Sequence, residues 1–201
     1  MKIIDLNTWK RKQHFEFFYR MDYPQYNVCM NLDATRFLKF TKENGLSFYY
    51  AMIFAASTAL NSVEEFRHRI REGQVILHDK VHPSFTDMDN DDDLFKLVSL
   101  ELTGDIFSFT DAAKQVSKNQ KEYIKPGHLA GRDDVIYITC VPWISFTHVS
   151  HTIALNRNDS VPRISWGKYF KDGNKMMLPF SVQVNHALVD GIHIARYIEA
   201  L

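Results

Sequence analysis

The 201-residue chain balances 24 lysines and arginines against 24 aspartates and glutamates, so its formal net charge is zero. Apolar side chains make up 45% of it and charged ones 24%, globular averages that exclude a disordered chain, a collagen-like repeat and a disulfide scaffold. Neutrality also removes the strongly basic face of a nucleic-acid binder, and at roughly 150 residues per domain the length favours a single domain over residues 1–201.

Near the start, Phe15, Phe17 and Tyr19 alternate with His14 and Glu16, a pattern that predicts a strand. A second strand is expected over 26–32, followed by a helix over 34–42 with Asp33 as its N-cap and Gly45 as its stop. Residues 48–63 read as a buried helix in which Ala51, Ala55, Ala56 and Ala59 allow close packing. Short strands are predicted over 74–78, 83–87 and 95–102, then an amphipathic, lysine-rich surface helix over 106–123. Four further strands follow over 135–140, 146–153, 163–170 and 176–185, and a closing helix over 191–201. This order predicts an α+β domain, a two-layer α/β sandwich with a mixed or antiparallel sheet covered by helices.

Two cysteines, Cys29 and Cys140, make neither a disulfide framework nor a zinc spacing. The N-terminus lacks the apolar core of a signal peptide, and the most apolar stretch, 48–60, is short of the ~20 residues a membrane span needs. The expected location is the cytoplasm, with no membrane or nucleic-acid partner. No metal is expected either. His186, Asp190 and His193, or His148 with His151, match no familiar zinc spacing. A calcium loop beginning at Asp87 would need glycine sixth and glutamate twelfth, where Asp92 and Val98 stand. The acidic run 87–93 reads instead as a solvated loop leading to Phe95.

Chemistry concentrates near the C-terminus. Phe180, Val182 and Val184 form one face of a strand, and His186 continues that parity, so an imidazole ends an apolar face. Asp190 and Gly191 follow, and the glycine can turn the chain into the final helix. Two readings of His186 stand on these residues alone: a core histidine bonded to a nearby carbonyl, or a base that takes a proton near neutral pH.

A wider set of segments bears on that choice. In order they are Trp9-Lys10-Arg11-Lys12-Gln13-His14-Phe15-Glu16-Phe17, Phe48-Tyr49, Glu65-Phe66-Arg67, Val81-His82-Pro83-Ser84-Phe85-Thr86 and Pro142-Trp143-Ile144-Ser145-Phe146. Gly167-Lys168-Tyr169, Leu178-Pro179-Phe180-Ser181-Val182-Gln183-Val184-Asn185-His186 and Asp190-Gly191 complete the set. With these the chain resembles the type-A chloramphenicol acetyltransferases over essentially its whole length. The resemblance implies a CoA-dependent acyltransferase fold and a homotrimer with active sites between subunits. It also implies direct transfer of acetyl from acetyl-CoA to a hydroxyl of a small-molecule acceptor, chloramphenicol or a relative, without an acyl-enzyme.

Residue by residue, the resemblance makes His186 the general base, its other ring nitrogen held by its own backbone carbonyl. Asp190 is implied to pair with Arg11, an architectural ion pair, although Arg11 within Lys10-Arg11-Lys12 also reads as a solvated charge. Thr139, four residues before Trp143, stands where the family has a serine that donates to the oxyanion, and Ser165 where it has a threonine. The resemblance assigns Phe18, Tyr26, Thr86, Phe95 and Val149 to the acceptor pocket. It assigns Tyr49, Trp143, Ser165, Lys168 and Tyr169 to the CoA path, against ordinary packing as the alternative. Departures from the family pattern are Asp22, Val149 and His151 in the acceptor pocket, Ser47 in place of a lysine, and Asn185 in place of the first of two histidines. The same His-x-x-x-Asp-Gly motif occurs in dihydrolipoyl acyltransferase catalytic domains, whose lipoyl domain and linker this length has no room for. Two functions follow as expectations: an active O-acetyltransferase, or a relative that binds a hydroxylated ligand without turning it over.

Overall fold

The longest strand organises the molecule. In the computed structural model, which describes residues 1–88, 93–125, 132–153 and 155–201, strand β10 (Lys175–Asn185) pairs antiparallel with β2 (Gln25–Asp33) on one side. On the other side it pairs antiparallel with β8 (Arg163–Gly167) and with the short β9 (Phe170–Asp172). Strand β7 (Val135–Val141) lies parallel to both β8 and β5 (His82–Met88), and β6 (Phe95–Ser99) closes the edge antiparallel to β5. The result is a mixed sheet in the order β2-β10-β8-β7-β5-β6. A smaller antiparallel sheet combines β1 (Lys2–Ile3), β4 (Gln74–Leu77) and β3 (His68–Arg71). Of the acidic run, residues 89–92 lie outside the described residues.

Alternation along β10 explains how the layers stack. Phe180, Val182 and Val184 are buried with Ile136, Ile138, Ile164 and Trp166 on one face of the sheet. Helices α3 (Phe48–Asn61) and α5 (Gly191–Ala200) belong to the same apolar cluster through Met52, Ile53, Ile194 and Tyr197. Small residues Ala51, Ala56 and Ala59 let α3 pack closely between its neighbours α4 (Ile106–Asn119), α5, β5 and β7. Truncating a side chain such as Phe180, flanked by Trp166 and Tyr197, would cost ~3–5 kcal/mol.

The opposite face is polar and still buried: Ser165, Ser181, Gln183 and Asn185 are each no more than 2% exposed. Hydrogen bonds offset most of their desolvation, which costs ~1–3 kcal/mol per unpaired group, and leave Gln183 Nε2 without a partner among the described residues. Ser181 Oγ donates to Asn27 Oδ1 at 2.8 Å, and Ser165 Oγ lies 2.8 Å from His151 Nε2. The chain around 148–151 covers this face. Asn27 Nδ2 donates to the Val149 carbonyl, and the His151 amide donates to Gln183 Oε1 at 3.2 Å.

These contacts overturn one expected strand. Residues 146–153 form no β-ladder, because side chains of the polar face, not strand backbones, hold the segment. The strand expected over Phe15, Phe17 and Tyr19 is likewise helix α1 (Lys12–Tyr19). Helical spacing wins there: Phe15 is buried and stacks on Tyr19 at 5.2 Å, while Phe17 stays exposed. Helix α2 (Thr35–Glu43) follows β2, with Asp33 Oδ1 accepting from the Thr35 amide at 3.1 Å just ahead of it, and Gly45 past its end has φ +65°. Helix α4 ends four residues earlier than expected, at Asn119.

Candidate active site

One group of predicted residues converges where β10 ends. The His186 amide donates to the Pro24 carbonyl at 2.7 Å, which extends the β2–β10 pairing by one step and fixes the imidazole at the sheet edge. There the ring stacks on Phe18 of α1 with centroids 3.9 Å apart and packs against Tyr26 of β2 at 4.4 Å. Burial, and then the Asp190 charge, push the Tyr26 hydroxyl up to about 12, so it stays a neutral phenol.

Arg11 ties this turn together. Its guanidinium donates to both Asp190 carboxylate oxygens, to the His186 carbonyl at 2.8 Å and to the Ala187 carbonyl at 3.0 Å. Arg11 is therefore no solvated charge: its side chain is 11% exposed. The Arg11 hydrogen bond holds the Asp190 carboxyl below its ordinary value despite partial burial, so Asp190 is a carboxylate at neutral pH. His186 Nδ1 lies 3.1 Å from Asp190 Oδ1, off the line of a good hydrogen bond and shielded from water. Nδ1 therefore faces the carboxylate, and Nε2 lies on the far side of the ring. The resemblance implied that the residue's own carbonyl holds Nδ1; in this structure that carbonyl accepts from Arg11.

A second group lines a cavity of about 850 Å³ at the C-terminal ends of β5, β7 and β8, beside the start of α3. Thr139 from β7, Thr86 from β5, Phe95 from β6 and Tyr49 from α3 face it, together with Trp143, Lys168 and Tyr169. Ser47, immediately before α3, lines it as well. The Tyr49 hydroxyl donates to the Thr86 carbonyl, and burial pushes this phenol far above its ordinary value. Trp143 is 63% exposed and Tyr169 43%, so both present apolar surface to a ligand or a neighbour. Gly167 shapes the floor: a Cβ there would meet the Ile144 carbonyl at 2.8 Å, and that carbonyl accepts from the Lys168 amide at 2.8 Å.

Ser165 and Val149 belong to neither group. Ser165 is fully buried on the polar face, the cross-strand neighbour of Thr139 and the partner of His151, and Val149 lies in the chain over that face. Burial keeps His151 below the ordinary histidine range, so its ring is neutral where it meets Ser165. Sequence reasoning missed the cavity walls Cys140 and Trp166 and the carbonyl contacts of Arg11, none of which carries a motif. It named Asn185 as a departure from the family pattern but gave it no role. Among the described residues, no cluster of His, Cys, Asp or Glu is arranged to hold a metal ion, and no helix is long and apolar enough to cross a membrane.

The two groups do not meet within one chain. Thr139 pairs across to Ser165, and Ser165 to Ser181, five residues before His186. Five residues at ~3.3 Å and two strand spacings of ~4.8 Å separate the Thr139 and His186 Cα atoms by ~20 Å. Neither side chain spans that gap.

Comparisons with known proteins identify the family. A chloramphenicol acetyltransferase from Escherichia coli is 31% identical over 201 residues, which cover 98% of this chain and 90% of that one. One from Clostridium perfringens is 28% identical, over 98% of this chain and 95% of that one. Among solved structures, a chloramphenicol acetyltransferase superposes with a TM-score of 0.92 at 23% identity, covering 99% of this chain and 96% of that one. A dihydrolipoamide acetyltransferase of Azotobacter vinelandii shares the fold at TM-score 0.65 and 17% identity, over 93% of this chain and 83% of that one. The family profile described as chloramphenicol acetyltransferase matches residues 1–201. The fold is thus the CoA-dependent acyltransferase fold, and the chain belongs to the chloramphenicol acetyltransferase family of acyltransferases.

Proposed function

We propose that residues 1–201 act as one catalytic domain that transfers acetyl from acetyl-CoA to a hydroxyl of chloramphenicol, in the cytoplasm and without a metal. One observation carries this reading: a carboxylate locked by Arg11 lies 3.1 Å from His186 Nδ1, which supports a proton held at Nδ1 and Nε2 acting as the base. In the reaction Nε2 takes the acceptor hydroxyl proton while that oxygen bonds to the thioester carbonyl carbon. The oxyanion so formed accepts a hydrogen bond from the Thr139 hydroxyl. Its collapse breaks the C–S bond, and the departing CoA sulfur takes the proton back from the imidazolium. Acetyl passes directly between substrates, with no acyl-enzyme. Proton transfer of this kind contributes ~10²–10⁴ in rate, and a donor aimed at the oxyanion ~10²–10³.

The ~20 Å between His186 and Thr139 supports a site shared by two copies, since reacting atoms must approach within about 3–3.5 Å. The assembly we propose is a homotrimer, with His186, Arg11, Asp190, Phe18 and Tyr26 from one copy facing the cavity of its neighbour. That cavity, with Tyr49, Trp143, Lys168 and Tyr169, suits the pantetheine and nucleotide of acetyl-CoA, and Thr86 and Phe95 suit the acceptor.

A second reading rests on Asp22 and His151, a carboxylate and an imidazole that stand where the family pattern has leucine. It favours an acceptor more polar than chloramphenicol. Thiol release from acetyl-CoA, followed with chloramphenicol and with a panel of polar alcohols, separates the two. Acceptor-dependent release with chloramphenicol supports the first, and release only with other alcohols supports the second. No release with any acceptor would leave the chain a binder of small molecules and overturn both.

A further inference from the structure

Asn185 is 2% exposed, and its carboxamide is used at both ends. Its Oδ1 accepts from the Ala187 amide at 2.9 Å, while Nδ2 donates to the carbonyls of Arg157 at 3.2 Å and Asp159 at 3.0 Å. Its backbone carbonyl accepts from the Leu188 and Val189 amides, both at 3.1 Å, so three successive amides of the turn after His186 are fastened to this residue. The segment it grips is itself anchored. Asp159 pairs with Arg163 of β8 at 2.7 Å, and its carbonyl also accepts from Gln25 Nε2 at 2.7 Å.

The same segment reaches α1. The Tyr19 hydroxyl donates to Asn158 Oδ1 at 2.9 Å, and the Arg157 guanidinium lies 5.7 Å over the Tyr19 ring. Tyr19 is adjacent to Phe18, the ring stacked on the imidazole. Residues 157–159 thus form a brace with one arm on the turn below His186 and the other on the helix that packs its face.

We propose that Asn185 is a positioning residue: it sets the imidazole of His186 through the 157–159 brace, which fixes the turn and the Phe18 stack together. Asparagine is suited to this by chemistry, because it supplies one acceptor and two donors on a short planar group. Aspartate keeps the shape and the acceptor but turns an oxygen toward two carbonyl oxygens. The proposal rests on His186 acting as the base.

Steady-state kinetics on the full chain test it, with wild-type turnover as the prior condition; absence of wild-type turnover counts against the acetyltransferase reading itself. Asn185→Asp is expected to lower kcat by ~10²-fold, the cost of a displacement of about 1 Å at a reacting group, with KM for acetyl-CoA and acceptor within about two-fold of wild type. Tyr19→Phe, which releases the other arm and keeps the ring, is expected to lower kcat several-fold with KM unchanged. Because both act through one brace, the double variant should lose less than the product of the single losses. Should Asn185→Asp fail to fold, as read by its thermal transition, Tyr19→Phe alone decides by the same split. A folded Asn185→Asp with wild-type kcat, a loss confined to KM, or losses that multiply in the double variant would overturn the proposal.

Discussion

Replacing Arg11 with methionine removes the guanidinium but keeps much of its apolar stem. Four hydrogen bonds disappear together, two to Asp190 and one each to the carbonyls of His186 and Ala187. Removing one partner of a buried ion pair costs ~3–5 kcal/mol. Asp190 is 28% exposed and water can partly solvate it, which puts the expected cost at the lower end, ~3 kcal/mol. For a chain of this length that corresponds to a fall in Tm of ~6–12 °C, measured by calorimetry at pH 7. The pH dependence has a definite sign. The folded-state pKa of Asp190 is depressed, mainly by its Arg11 hydrogen bond, so this stabilisation is complete above the ordinary carboxylate value of 3.8 and disappears as pH falls through the lower folded value. The gap between wild type and Arg11→Met should hold from neutrality down to about pH 5 and narrow below about pH 4. A Tm within about 2 °C of wild type at pH 7, or a gap that stays constant through pH 4 and below, would refute the reasoning.

Other outcomes follow from the same geometry. His186→Ala should lower kcat by ~10²–10⁴ while leaving the thermal transition close to wild type, since the ring is one-third exposed and its backbone pairing to Pro24 remains. Trp143→Ala should raise KM for acetyl-CoA more than it lowers kcat, because the exposed indole supplies binding surface away from the reacting atoms. Both are read by thiol release.

What was legible in the sequence is what local pattern controls. The β10 alternation of Phe180, Val182 and Val184 located the sheet face and its terminal histidine, and the alanines of 51–59 located the central helix. Two patterns competed at Phe15-Glu16-Phe17-Phe18-Tyr19, where period two and the helical spacing of Phe15, Phe18 and Tyr19 share the same aromatics. Packing on the core and on His186 decided for the helix. Residues 146–153 looked like a strand because their composition is β-rich, yet their fixing groups lie far away in sequence, on Asn27 and Gln183. The same long range hid the polar buried face. Ser181, Gln183 and Asn185 resemble a solvated strand edge until the covering chain is in place. At the candidate site, the motif residues pointed to an acyltransferase family, but no local pattern shows that one chain keeps His186 and Thr139 in separate groups.

That separation is open to a direct measurement. Thr139→Val loses the proposed oxyanion donor and His186→Ala the proposed base, so each alone should be nearly inactive. Co-expressed in equal amounts, the two variants should assemble at random, and about a quarter of the shared sites would regain both an intact His186 and an intact Thr139. Thiol release by the mixed assembly at about a quarter of the wild-type rate is the predicted result. A mixed assembly no more active than its two parents would contradict a site built from His186 of one copy and Thr139 of the next.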